Sequence, residues 1–260
     1  MSIRPIASAF VVVACLCAAA PARAQGAAGV RRTADGKPDL SGLWQTIGSA
    51  NWNIQDHSAE KGIPAGQGIV EGNDVPYRPE ALAKKQANFA NRATEDPEAK
   101  CNMVGLPRSM YMPYPFQIFQ TPGMITMLFE YVHTVRYIYT NGSKHPDGHI
   151  DWWMGDSRAR WEGDTLVVDV IDFNEDTWFD RAGNYHSDAL HVVERFTPSD
   201  PDHITYEATI EDAKTFTRPW KISTVLYRRK ETNVQLLEYE CYGFDFEKYY
   251  PYPDLAKGSK

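Results

Sequence analysis

The sequence predicts an all-β protein: an antiparallel meander that closes into a barrel, preceded by an irregular lead-in with one helix. Three observations carry this reading. From residue 116 onward, short runs of Val, Ile, Thr, Tyr and Phe are separated by turn chemistry, the pattern of strand after strand. Within one run Ile204, Tyr206, Ala208 and Ile210 alternate with Thr205, Glu207, Thr209 and Glu211, so one face is dry and the other wet. Trp220, Ile222, Thr224 and Leu226 alternate likewise with Lys221 and Ser223. Finally, a sheet of about nine strands rarely stays open and flat, so closure is expected.

Residues 1–24 combine Arg4, an apolar stretch and Ala22-Arg23-Ala24 before Gln25, the layout of a cleaved signal peptide. A competing reading makes Val12-Val13-Ala14-Cys15 a lipoprotein box. The apolar stretch falls short of the roughly 20 residues a membrane span needs, and no later segment approaches that, so no membrane insertion is expected. The expected location is the periplasm or the outside of the cell. Residues 25–115 read as the lead-in, with Leu40 to Trp44 as one strand and a helix over 79–100, where Ala, Lys, Gln and Glu abound and Pro79 suits a first turn. Residues 116–245 read as the barrel and 246–260 as a tail.

The strands are placed at 117–120, 125–131, 135–140, 157–162, 165–172, 190–197, 204–211, 220–229 and 236–242. Thr121-Pro122-Gly123 suits a type II turn, Asn141-Gly142 is a strong turn dipeptide, and Gly163-Asp164 separates two runs by two residues. That last turn pairs Glu162 with Thr165, Trp161 with Leu166, Ala159 with Val168 and Arg158 with Asp169. Trp161, Leu166 and Val168 then share the core face, and Arg158 and Asp169 face each other as a surface ion pair.

Asp and Glu total 34 against 27 Lys and Arg, a net charge of −7, and loss of the leader removes two arginines more. An acidic chain without a basic cluster argues against nucleic acid, whose phosphates demand grouped cations. Cys15 and Cys17 leave with the leader, which strands Cys101 and Cys241. In an oxidising compartment these pair as a disulfide between the lead-in and the last strand. Zinc ligation by two cysteines so far apart is the weaker alternative.

Residues 186–196 (HSDALHVVERF) hold the most chemistry in the fewest positions. As a strand, they place Leu190, Val192, Glu194 and Phe196 on one face and His191, Val193 and Arg195 on the other. The alternation divides His191 from Glu194, so no metal site is expected. A carboxylate at a core-facing position requires a partner such as Arg136, a ligand, or a raised pKa. His186 falls in the preceding loop and is expected to be exposed, or else to stand at the barrel mouth. Tyr114, Trp153 and Trp178 lie near strand ends or in loops; they cap the barrel or line an aromatic pocket. Tyr249-Tyr250-Pro251-Tyr252 covers an opening or is a terminal tail.

The pieces LSGLW, PYPFQIFQTPG, RWEGDTLVVD, FNEDTWFD and HSDALHVVERF resemble an uncharacterised family of secreted bacterial proteins that share these blocks in this order. The resemblance spans about residues 40–241 and brings no activity with it. Gly42-Leu43-Trp44 is also similar to the G-x-W of the first lipocalin strand, which implies a lipocalin-like (calycin) barrel holding a small apolar ligand. The second lipocalin signature, T-D-x-x-Y, is not found in the sequence.

No nucleophile elbow, phosphate loop, dinucleotide fingerprint or calcium loop appears, and no cofactor is expected. Two functions follow. The first is a barrel that binds a small organic molecule, apolar or aromatic and neutral or cationic, in an interior pocket, with Arg136, Tyr114, Trp153 and Trp178 as ligand contacts. The second is a cofactor-free lyase, isomerase or hydrolase using Glu194 or His186 as the general acid/base. A scaffold without either activity is the structural alternative.

Overall fold

The computed structural model describes residues 29–60, 63–239 and 241. The leader, the tail after 241 and its tyrosines lie outside the described residues. Nine strands close one barrel: β1 (Gly42–Thr46), β2 (Phe116–Thr121), β3 (Met124–Phe129), β4 (Val135–Tyr139), β5 (Asp156–Glu162), β6 (Thr165–Ile171), β7 (His191–Asp200), β8 (His203–Glu211) and β9 (Trp220–Arg228). The alternation written in the sequence fills the lumen. Val192, Glu194 and Phe196 of β7 and Ile204, Tyr206, Ala208 and Ile210 of β8 are all buried there.

The predicted β5–β6 register is the observed one, from Glu162↔Thr165 to Arg158↔Asp169, with Gly163 at a positive φ of 61° in the turn. The expected ion pair across it does not form. Arg158 turns along its own strand to chelate Asp156, and Asp169 instead accepts from His145 and His191. A carboxylate two residues away on the same face outcompetes one that two imidazoles already hold. Trp161 is half-buried at the core's edge.

Three further expectations are corrected. The meander breaks at β4–β5, which pair in parallel through Ile138↔Ser157 and Tyr139↔Arg158. Parallel neighbours need a long crossover, on the order of a dozen residues or more, and residues 140–155 supply it; Asn141-Gly142 therefore opens that crossover and not a hairpin. Residues 236–239 form no strand. The closing position falls to β1, which pairs with β2 on one side and β9 on the other. The helix is α1 (Pro79–Ala90), followed after Asn91 by the single turn α2 (Arg92–Glu95); beyond it, Asp96 bends to cap Glu98 N–H.

Cys101 and Cys241 form a disulfide with Cα atoms 5.6 Å apart, spanning 140 residues. It fits an oxidising compartment and ties the lead-in to the segment after β9, which is not a strand. Among the described residues, no helix is long and apolar enough to cross a membrane. Because so long a loop carries a large closure entropy, Cys101→Ser is expected to lower stability by about 2–5 kcal/mol, read as a fall in the urea midpoint under non-reducing conditions.

Candidate functional site

Three polar assemblies sit in or against the barrel, and they differ in how completely their groups are satisfied. The first crosses the lumen. Val135 and Tyr137 face out from β4, which turns Arg136 inward with Ile138. Arg136 meets Glu194 of β7 with two guanidinium nitrogens, Nη1 to Oε1 at 3.1 Å and Nη2 to Oε2, while Nε and Nη2 donate to Ser157 Oγ at 3.2 and 3.0 Å. Tyr206 of β8 donates its hydroxyl to Glu194 Oε1 at 2.8 Å. Burial pushes the Tyr206 phenol well above the usual tyrosine range, and the Glu194 charge pushes the same way. Glu194 therefore has the partner that its apolar neighbours demanded. Both of its oxygens are occupied within the protein.

The second assembly closes one end of the barrel through the loop 173–190. Arg108, fully buried in the short turn Arg108–Tyr111, donates to Asn51, to both oxygens of Asp96 and to Glu98. Arg181 clamps Glu98 from the loop. Burial works against an ionised Glu98, but Arg181 and Arg108 outweigh it and hold the carboxyl below its ordinary range. Asp180 accepts from Ile54 N–H and from the backbone and side chain of Asn184; burial nevertheless pushes it up to about 6.

His186 belongs to this assembly and is fully buried, not exposed as expected. Its Nδ1–H faces the Ser187 carbonyl at 2.8 Å, so its Nε2 accepts from Thr177 Oγ1 at 2.6 Å, with Phe173 and Phe179 against the ring. Burial lowers it to about 4. The loop rolls inward here because Phe173, Phe179 and Leu190 are core residues that pull His186 with them.

The aromatic residues expected to line a pocket do not converge. Tyr114 stacks on Tyr131 and bonds to Tyr239 beside Val104 and Met112. Trp178 packs with Ala81 of α1 and Tyr185. Trp153 is half-buried in the 140–155 crossover. Arg136 alone among the expected ligand contacts reaches the lumen.

The third assembly was not foreseen. β1 pairs with β9 at three positions only, Trp44↔Arg228, Gln45↔Tyr227 and Thr46↔Leu226. Beyond Thr46 the free edge of β9 is met by the lead-in, through a Val70↔Ile222 bridge and Ser223 N–H to the Ile69 carbonyl at 2.8 Å. An open groove of about 620 Å³ runs along this seam, bounded by residues 46–50, 64–69, Tyr111, 223–225 and Tyr227. Every side chain in that boundary is uncharged. At its base, Tyr111 is almost fully buried and donates to the Phe179 carbonyl, and Thr224 lies opposite Tyr206 in the β8–β9 ladder. The groove thus ends one residue from the lumen network.

Among the described residues, four buried side-chain atoms have no hydrogen-bond partner: Ser49 Oγ on the groove wall, His57 Nε2, Asp172 Oδ2 and Trp220 Nε1 of β9. A second groove, about 500 Å³ around the β2–β3 turn, has no such orphaned group in its wall among the described residues. The signal that could have located the seam is Gly66-Gln67-Gly68, two glycines where backbones approach closely. Comparisons with protein-family models, curated proteins and solved structures each return no match.

Two outcomes test these assignments. Glu194→Leu strands a buried guanidinium and is expected to cost about 3–5 kcal/mol, whereas the double variant Arg136→Met/Glu194→Leu recovers most of it, both read by urea unfolding. For His186, the folded pKa lies below the unfolded one, so the unfolded chain takes up the extra proton and stability falls as pH drops from 6.5 toward 4. Measured against His186→Phe, the wild type is expected to lose about 3 kcal/mol across that window, and the comparison cancels the opposing titration of Asp180.

Proposed function

We propose that the protein is a secreted β-barrel that binds a small, neutral organic molecule in the seam groove between β9 and the lead-in. The observation that carries this reading is the groove itself: about 620 Å³ and uncharged throughout its wall. That volume falls inside the range of about 300–1,000 Å³ typical of small-molecule sites. A charged ligand would find no counter-ion in that wall, whereas a neutral one with a few polar atoms matches Thr46, Gln67 and Thr224 beside Ile47, Ile69 and Val225. The leader-like residues 1–24, the disulfide, and the resemblance to a family of secreted bacterial proteins support an extracellular or periplasmic setting.

The lumen is the less favourable place for a ligand. It is packed by core residues from the nine strands, and its one polar network is satisfied within itself. Acid/base chemistry at Glu194 or His186 is disfavoured for the same reason, since each already spends its polar atoms on internal partners.

Ser223 is exposed at the groove and contributes only its backbone to the seam, so Ser223→Trp should fill the site without unfolding the barrel. Saturation-transfer NMR with a panel of neutral aliphatic and aromatic compounds is expected to find saturable binders whose affinity falls at least about tenfold in Ser223→Trp. Binders insensitive to that change would place the site elsewhere.

A further inference from the structure

We propose that the seam groove holds a neutral acyl amino amide, the smallest piece of extended peptide, added as strand to the free edge of β9; the inference rests on that groove as the binding site and names its ligand. Its basis is a gap between two ladders. The β1 ladder stops at Thr46↔Leu226, and the lead-in meets the same edge of β9 at Val70↔Ile222. Between them, among the described residues, nothing pairs with Thr224 or Val225 on the seam side.

The backbone groups of successive strand residues point to opposite sides, and the bonds at the ends of the gap show which residues face the seam. Arg228 N–H reaches the Asp202 carbonyl beside β8 at 2.9 Å. Arg229 N–H reaches the Leu43 carbonyl of β1, and Ser223 N–H the Ile69 carbonyl of the lead-in, each at 2.8 Å. Odd-numbered residues of β9 therefore turn their backbone groups to the seam. Val225 N–H and the Ser223 carbonyl face it on either side of Thr224, and among the described residues no hydrogen bond from β1 or the lead-in reaches either of them.

The groove meets this edge directly. Ser223, Thr224 and Val225 all line it although their side chains alternate in direction, so it runs along the edge of the strand and not over one face. On the facing wall, a Cβ at Gly48 would meet nothing within 4 Å. One donor and one acceptor therefore border open space. A sheet edge in that condition is a template for a further strand.

The spacing of the two groups sets the chemistry of the ligand. A residue placed opposite Thr224 closes the gap with two bonds: the carbonyl before it accepts from Val225 N–H, and the N–H after it donates to the Ser223 carbonyl. An acyl amino amide carries that carbonyl and that N–H on either side of a single residue. It is also neutral, as the uncharged wall requires. Residues directly opposite in a sheet share a face, so the ligand's side chain falls on the inner side with Thr224, toward the base of the groove. Tyr111 there spends its hydroxyl on the Phe179 carbonyl and leaves its ring, which suits an apolar side chain such as that of valine.

The test uses the intact protein with N-acetylvaline N-methylamide, followed by saturation-transfer NMR and by hydrogen exchange at the Val225 amide. Saturable binding that slows exchange at Val225 is expected. Adding a second methyl to the terminal amide removes the N–H meant for Ser223 and should weaken binding about tenfold, whereas replacing the internal N–H, which points away from β9, by an ester oxygen should change it by less than about threefold. Val225→Pro deletes the seam-facing N–H and none that faces β8, so with its thermal midpoint checked it should also weaken binding about tenfold. If that variant does not fold, the exchange measurement and the two analogues decide. Neutral compounds that bind in a manner sensitive to Ser223→Trp, while the diamide does not bind or leaves Val225 exchange unchanged, would overturn the proposal and leave the groove standing as a site. Diamide binding that Ser223→Trp leaves untouched would overturn both.

Discussion

The Arg136–Glu194 ion pair decides what the barrel can be. It joins β4 to β7 across the lumen, far apart in sequence and on opposite stretches of wall, and Ser157 and Tyr206 complete it from the neighbouring strands. Four strands thus contribute to one network. A buried pair of this kind contributes little net stability, because desolvation offsets most of the attraction, but breaking one half leaves an uncompensated charge. Its effect is to fix register and to fill the lumen with groups that already have partners. A ligand entering there would have to replace both charges' hydrogen bonds at once.

With the lumen occupied, the openings in the wall become the places where a second molecule can be met. The β1–β9 seam is such an opening because β1 is short. Its closed end is tied by Arg228, which lies over the Trp44 ring and donates to the Ser41 carbonyl. At the other end Thr46 turns its hydroxyl to the Met110 carbonyl and the chain leaves the sheet. From that point the free edge of β9 is met by the lead-in, at the Val70↔Ile222 bridge and the hydrogen bond from Ser223 N–H to the Ile69 carbonyl. A ladder interrupted in this way leaves concave space beside a rigid wall, the geometry that small-molecule sites favour.

The regular parts of this architecture were legible in the sequence. Period-two alternation gave the inner faces of β7, β8 and β9, the Gly163-Asp164 turn gave the β5–β6 register residue for residue, and an inward Glu194 pointed to Arg136. Irregular parts escaped for a physical reason: period says nothing about a chain without period. His186 is buried by Phe173 and Phe179 on either side, which a reading of its loop as polar could not weigh. The parallel β4–β5 pair depends on where residues 140–155 are pinned, by His145 to Asp156 and Asp169, a set of side-chain contacts with no local signature. Residues 25–78 read as irregular apart from the one strand, and the press of segment 64–69 onto the 49–57 turn arises from backbone contacts that no single run of residues announces.

The close approach of those two segments depends on their glycines. In the Arg136 and Arg108 networks the charged groups have partners, and in the cases of Glu98 and Arg108 the neighbours even hold the ionised forms against burial. At the seam the backbone ladder is at its thinnest, and the 64–69 segment is held instead by the reciprocal bonds of residues 57 and 66 and by Asp56 to the Gly68 N–H. Gly66 and Gly68 make that arrangement possible by removing the side chains that would otherwise separate the two segments. An added methyl at Gly66 would collide with Ser49 itself, so a side chain there would hold the two segments apart. The barrel's packed lumen and its open seam are thus two results of one topology: strands that pair along their length leave no opening, and a strand that stops early leaves a groove.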